Sequence, residues 1–322
     1  MAFGSHLGAV AENSRSEPTF SRSTATAHWG CAGGRILVFD SVCGAAERGC
    51  VVDVRMRVES LRRYPVKSML GEVVNSMFVD ERGAEGDRRL ALLDALTGHV
   101  ASAKQARLWR GLLKCTATGS AGRVSIGLPD GTIVAADDPG VDEQLSLLVG
   151  RPVRLIRERP DGATLERPDP EQLLELGVDA EVGGRILTIG QATPGDSFTD
   201  DAPLHAITTA TVEHIGVEAL RYRPNLVIAT PADYPPYAED DWVERELTVG
   251  EVRLRVLAPT SRCVVPTLEH GPLGRAPHAL RTPAAENRVQ AGGSGAQPCA
   301  GVYLEVVTKG IIRIGDRVTL GL

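Results

Sequence analysis

The sequence predicts a mostly β protein with a few helices, whose first part is barrel-like. Two observations carry this expectation. Short runs of roughly four to eight residues, rich in β-branched residues and bounded by turn residues, recur along the chain. Helical spacing is confined to a few stretches, and neither GxGxxG nor GxxxxGK[ST] occurs, so the usual glycine fingerprints of nucleotide-binding α/β folds are missing.

The elements follow in order. RVESLRRYPVK (57–67) alternates and then meets Pro65, a strand entering a constrained corner. EVVNSMFVDERG (72–83) is a second strand. RRLALLDALTGHVAS (88–102) reads as strand, Thr97-Gly98 turn, strand. RVSIGLPDGTIVAA (123–136) is a hairpin about Asp130-Gly131, the strongest turn signal in the chain. GVDEQLSLLVG (140–150) has helical spacing and a glycine stop, and RPVRLIRE (151–158) is a strand. The acidic, Pro/Gly-rich segment 160–184 reads as a linker with a short helix starting near Pro170. Beyond it come strand PLHAIT, helix TATVEHIGVEAL, strand PNLVIAT, a hairpin about Val249-Gly250, and the strands GVYLEVV and IIRIGDRVTL. GGSGAQ (292–297) reads as a flexible loop. The expected organisation is a leader over 1–55, a first β-rich domain over 56–159, the linker, and a second β-rich domain over 185–322. The leader is Ser/Ala/Gly-rich without sustained periodicity and is expected to be disordered or absent from the mature chain, with Met56 as an alternative start.

The net charge of −6 argues against a general nucleic-acid binder. The charge is uneven: from Arg55 to Arg123 there are 13 Lys/Arg against 7 Asp/Glu. A basic segment in an acidic protein suggests an anion site, the plainer alternative being a solvated arginine-rich face. Six cysteines without regular spacing do not form a disulfide framework, so a reducing compartment, the cytoplasm, is expected. No apolar run approaches the roughly 18 residues of a membrane span, and no membrane partner is expected.

The chemistry centres on APTSRCVVPTLEHG (258–271). Cys263 is a single thiol beside Arg262, whose charge favours the thiolate, a nucleophile or a ligand for a thiophilic metal. A lone cysteine is more often a buried structural one. Here Pro259 and Pro266 flank it, and Ser261 and Thr267 add polarity, which suggests a loop at a strand end. YPVKS (64–68) places Lys67 and Ser68 after a proline corner, where they can hold a phosphate, although an exposed lysine after a turn is the commoner case. GDRR (86–89) and SAKQ (102–105) add cations to the same basic segment. RYRPNLVI (221–228) puts Arg223 and Asn225 two apart, on one face if the segment is extended; a solvent-facing strand edge is the alternative. His270 and His278 lie in a Pro/Gly-rich stretch, and their spacing does not suggest zinc.

Together these segments resemble one family. VESLRRYPVKSMLGE is similar to the opening of the MOSC N-terminal β-barrel domain. The run from DAPLHAITTATV through RYRPNLVI, AEDDW, SRCVVPT and GVYLEVV to IRIGDRVTL resembles a MOSC domain. The resemblance spans roughly 56–322 and points toward the amidoxime-reducing component and its bacterial counterparts. It implies a β-barrel MOSC fold with a molybdenum cofactor, a pterin dithiolene with a terminal phosphate, in a cleft between two β-rich domains. It implies Cys263 as the molybdenum ligand, and Lys67, Ser68 and Arg88 near the phosphate. Arg223 and Asn225 would contact the pterin, and Ser261, Arg262, Tyr303, Thr208 and Thr209 would line the cleft. Asp201 matches a recurrent acidic position and is expected among the catalytic residues. Pyridoxal phosphate binding is a further family-level reading.

The function these resemblances imply is two-electron reduction of small N-hydroxylated or N-oxygenated substrates by a monomer. The electrons would come from a separate ferredoxin, flavin reductase or cytochrome, because no cysteine cluster able to hold an iron–sulfur centre follows the last strand. The alternative is a sulfur carrier, sulfurtransferase or cofactor carrier working through Cys263. LEHGPLGRAPHALRTPAAENRV, after that cysteine, departs from the mitochondrial proteins, so the substrate does not carry over.

Overall fold

Seven strands close into a barrel. Around it run Leu204–Thr208, Leu226–Ala229, Met56–Arg63, Arg317–Leu320, Glu246–Val249, Val252–Ser261 and Ala296–Thr308, the last pairing back onto the first. The computed structural model describes residues 56–120, 122–291 and 295–321, with two short paired strands, Cys31–Ala32 and Arg35–Ile36. The chain divides into Met1–Asp53 and Val54–Leu322, and the barrel belongs to the second unit. The expectations for residues 1–55 lie outside the described residues apart from that one pairing. The expected flexible loop falls partly on 292–294, also outside them, while Ala296 and Gln297 open a strand.

Period-two alternation builds the barrel. Met56 and Val58 turn inward from the first strand, and Leu61 does so after a register shift opposite Val227 and Ile228; Val252, Leu254 and Val256 turn inward from the hairpin that turns at Gly250. With Leu204, Ala206, Leu226, Ile228, Val302, Leu304 and Val318 they form one continuous core. Closure leaves these seven strands without a free edge. Every pairing is antiparallel except Leu204–Thr208 with Leu226–Ala229, and that parallel pair requires a crossover. The helix Thr209–Ile215 and the 3₁₀ turn Ala219–Tyr222 supply it.

The strand expected to open a separate first domain therefore lies inside the barrel, between Leu226–Ala229 and Arg317–Leu320. Met77, Val79 and Ala84 join the barrel core, while much of the remaining early chain forms a second core around Val66, Met69, Leu92, Trp109, Leu112, Ile126 and Leu145. It includes the hairpin about Asp130-Gly131 and the helix Val141–Val149, which Gly150 ends at φ 66° as its spacing predicts. Two expectations change. The strand after the Thr97-Gly98 turn reduces to a single bridge between Val100 and Leu93. The segment read as a linker holds the expected helix, Pro170–Leu176, capped by the Asp169 carboxylate, but strands Thr164–Pro168 and Gly184–Thr188 pair around it. The Pro/Gly-rich stretch after Cys263 contains the helix His278–Glu286. Among the described residues no helix is long and apolar enough to cross a membrane.

Candidate functional site

One cleft gathers nine of the expected site residues: Lys67, Ser68, Arg88, Arg223, Asn225, Ser261, Arg262, Cys263 and Tyr303. Backbone strain concentrates there. Ser68 (φ 66°), Arg88 (φ 47°) and Arg223 (φ 56°) are three of five described non-glycine residues in the left-handed region, and all three line the cleft.

At one end the charge is positive. Lys67 is buried, donating to the Phe198 carbonyl (2.7 Å) and to Oδ1 of Asp200 (2.5 Å); Lys104 reaches the other oxygen of Asp200 at 3.0 Å. Burial lowers the Lys67 pKa, and Asp200 opposes the shift. Burial would raise the Asp200 carboxyl, but Lys104 and Lys67 outweigh it and hold the group far below the usual range. The Ser68 hydroxyl accepts the Ala103 N–H at 3.0 Å. Arg88 pairs with Asp87 and donates to the Arg223 carbonyl at 3.1 Å, while Asp87 also accepts the Tyr64 N–H. Lys67 is thus not the exposed lysine of the commoner reading.

Arg223 and Asn225 share the cleft, but not through strand alternation. Arg223 is the left-handed residue ending the turn Ala219–Tyr222. The Asn225 side chain is spent on the framework: Oδ1 accepts the His205 N–H and Nδ2 donates to the Arg62 carbonyl, each at 3.2 Å.

Cys263 lies two residues beyond the end of the strand Val252–Ser261 and precedes the turn Val265–Thr267, the loop at a strand end that its flanks predict. Cys263 is half-buried at the margin of an apolar cluster that includes Val264, Val265, Leu113 and Leu173. The Arg262 guanidinium turns to His205 Nε2 (2.6 Å) and to the Ala300 and Tyr222 carbonyls. Burial, reinforced by Arg262, holds His205 well below its ordinary value, so this imidazole is neutral and accepts at Nε2. Burial also raises the Tyr303 phenol, with Asp201 and Asp200 adding to the shift.

Three expected residues stand elsewhere. Thr208 is the N-cap of the crossover helix: its hydroxyl accepts the Thr211 N–H and donates to the buried Glu239. Thr209 bonds Thr230. The Asp201 side chain is exposed, and its neighbour Asp200 occupies the cleft instead. Sequence patterns also gave no sign of His205, Arg221, Thr260 and Arg167 as lining residues. Arg167 comes from the segment read as a linker, where no local pattern marks it.

The lining of the cleft suits a polar, anionic group. Among the described residues eight buried side-chain polar atoms lack a hydrogen-bond partner, and four belong to its lining: Arg223 Nη2, Arg262 Nε, Arg167 Nε and Thr260 Oγ1. Such atoms are costly unless a ligand completes them. A pterin with a terminal phosphate fits these donors and the lysine end, and the thiol can ligate a thiophilic metal.

A closed β-barrel carrying a cationic cleft with one half-buried thiol is what these residues build. Residues 195–319 match the MOSC domain and residues 55–119 the MOSC N-terminal beta barrel domain; the chain carries both, and MOSC domains are associated with molybdenum cofactor-binding proteins. No curated protein matches the sequence. Among solved structures the chain is similar to the YUAD protein from Bacillus subtilis, at 9% identity over 83% of this chain and 97% of that one, with a TM-score of 0.39. It is also similar to YiiM from Geobacillus stearothermophilus, at 14% identity over 49% and 72%, with a TM-score of 0.27.

Proposed function

We propose that this protein binds a molybdenum–pterin cofactor and reduces small N-hydroxylated or N-oxygenated substrates. The observation that supports this most is the set of four unpartnered buried polar atoms around a cleft with Cys263 in its wall and cations at one end. Cys263 would ligate the metal; Lys67, Lys104, Ser68 and Arg88 would hold the phosphate; Arg223, Arg262, Arg167 and Thr260 would meet the pterin or substrate. When bound, that group supplies two-electron oxygen-atom transfer, which no side chain here provides. In the net reaction the N–O bond breaks, two electrons from a separate donor protein and two protons enter, and amine and water leave. The polypeptide's share is orientation. Asn225 fixes the strands that carry His205 and Arg62, and neutral His205 holds Arg262 in place.

The test is molybdenum content by elemental mass spectrometry, with pterin fluorescence after acid oxidation, on wild type and Cys263→Ala from a host that makes the cofactor. Near-stoichiometric molybdenum and pterin in wild type, with the metal lost from the variant, is the expected result. Absence of both from wild type overturns the reading; sulfane sulfur on Cys263 of that metal-free protein would mark a sulfur carrier instead.

A further inference from the structure

The two lysines at the phosphate end of the cleft are already occupied. A carboxylate bridging two ammonium groups, with Lys67 at 2.5 Å on one oxygen and Lys104 at 3.0 Å on the other, presents the same pair of acceptors as one edge of a phosphate. We propose that Asp200 is a resident counter-ion in the phosphate seat, and that a phosphate-bearing ligand enters by taking Lys67 and Lys104 from it. The proposal rests on reading the cleft as the seat of a phosphate-bearing cofactor.

Three features say which partner yields. The lysine side chains are 6% and 11% exposed, whereas that of Asp200 is 30% exposed, so the carboxylate has the shorter path to solvent. Lys67 is anchored, its N–H on the Leu90 carbonyl and its ammonium also on the Phe198 carbonyl, so it keeps an acceptor when the carboxylate leaves. Asp200 stands at the neck of the loop Gly190–Asp201, whose ends meet through Gly190 N–H to Asp200 O (2.9 Å) and Ala192 N–H to Asp201 O (3.2 Å); Gln191, Ala192, Pro194, Gly195 and Asp196 on that loop are exposed.

Charge requires an exchange rather than a simple addition. Without Asp200, Lys67, Lys104, Arg88 and Arg223 would share this end with Asp87 alone, and Asp87 is committed to Arg88 and the Tyr64 N–H. A phosphate placed beside an undisplaced Asp200 would meet a like charge at contact distance. Asp200 therefore acts as a specificity-determining residue. A singly charged carboxylate gains nothing by replacing another carboxylate, whereas a phosphate brings more charge and more acceptor oxygens.

The experiment uses the full chain, made in a host unable to synthesise the pterin, titrated calorimetrically with inorganic phosphate and with acetate. Asp200→Asn should bind phosphate about tenfold more tightly than wild type, and Lys67→Met in the same background should abolish the gain. Acetate should bind neither wild type nor Lys67→Met measurably. Equal or weaker phosphate binding by a folded Asp200→Asn, with wild type binding, would make Asp200 a structural ion pair and leave the anion-site reading intact. Absence of phosphate binding from wild type and Asp200→Asn, both folded, overturns that reading and the proposal with it. Should the variant fail to fold, amide exchange of wild type decides: saturating phosphate should speed exchange at Gly190 and Ala192, and unchanged rates there refute the displacement.

Discussion

The guanidinium of Arg223 lies over the ring of Tyr64, its Cζ 4.4 Å from the ring centroid. Arg88 also stacks on that ring, at 4.9 Å, and the phenol donates to the Pro224 carbonyl. Burial lowers Arg223 to about 10, and Arg88 adds to the shift, so the side chain stays charged at neutral pH while Nη2 lacks a partner. Lysine can reproduce the charge but not the planar stack. Arg223→Lys is expected to cost about 1 kcal/mol of cofactor binding, roughly a fivefold loss of affinity read by pterin fluorescence after dilution of protein of unchanged fold.

Cys263→Ala should separate function from folding. The thiol is half-buried at the margin of a small apolar cluster, so its truncation removes little packing. Stability should fall by less than about 1 kcal/mol, while metal content falls to background. A large drop in unfolding temperature would mark this cysteine as structural.

Gly301 sits at φ 74° on the strand that closes the barrel, and a Cβ there would lie 2.5 Å from the Ala206 carbonyl oxygen and 2.7 Å from His205 Nε2. Backbone strain and a clash with a main-chain atom cannot both be relieved by side-chain movement. Gly301→Ala is expected to destabilise by about 3 kcal/mol or more, read from the denaturant midpoint at unchanged slope.

His270 is fully buried. Nδ1 meets the Leu268 carbonyl, Nε2 is unpartnered, and burial holds the ring to about 4, with Arg223 and Arg221 adding to the shift and Glu218 opposing it. The unfolded imidazole takes its proton near 6.5, so between pH 6.5 and about 4 the unfolded state binds more protons and stability falls as pH falls. Over that window wild type should lose up to roughly 3 kcal/mol more than His270→Gln, measured by denaturation at each pH.

Features with local causes were legible in the sequence. The Asp130-Gly131 and Gly250 hairpins, the stop at Gly150 and the proline-flanked cysteine loop each follow from a few adjacent residues. Long-range pairing was not legible. Nothing in RVESLRR says that its strand lies between Leu226–Ala229 and Arg317–Leu320, and nothing near Arg167 says that it reaches the cysteine loop. Asp200 and Asp201 are adjacent and chemically identical, so only the path of the loop decides which one faces the lysines. At Thr208 the resemblance suggested a ligand contact, whereas the residue serves as a helix cap; a hydroxyl just before a helical run is itself a capping signal.

Barrel closure by Met56–Arg63 sets an order of events during synthesis. This strand is synthesised before both of its barrel neighbours, Leu226–Ala229 and Arg317–Leu320, which lie far along the chain from it. The barrel therefore closes only after Arg317–Leu320 has emerged, a topology that folds slowly because its defining contacts are distant in sequence. Until then the Met56–Arg57 end of the strand lacks its partner in Arg317–Leu320. Its charged residues Arg57, Glu59, Arg62 and Arg63 discourage pairing of the waiting strand with other nascent chains.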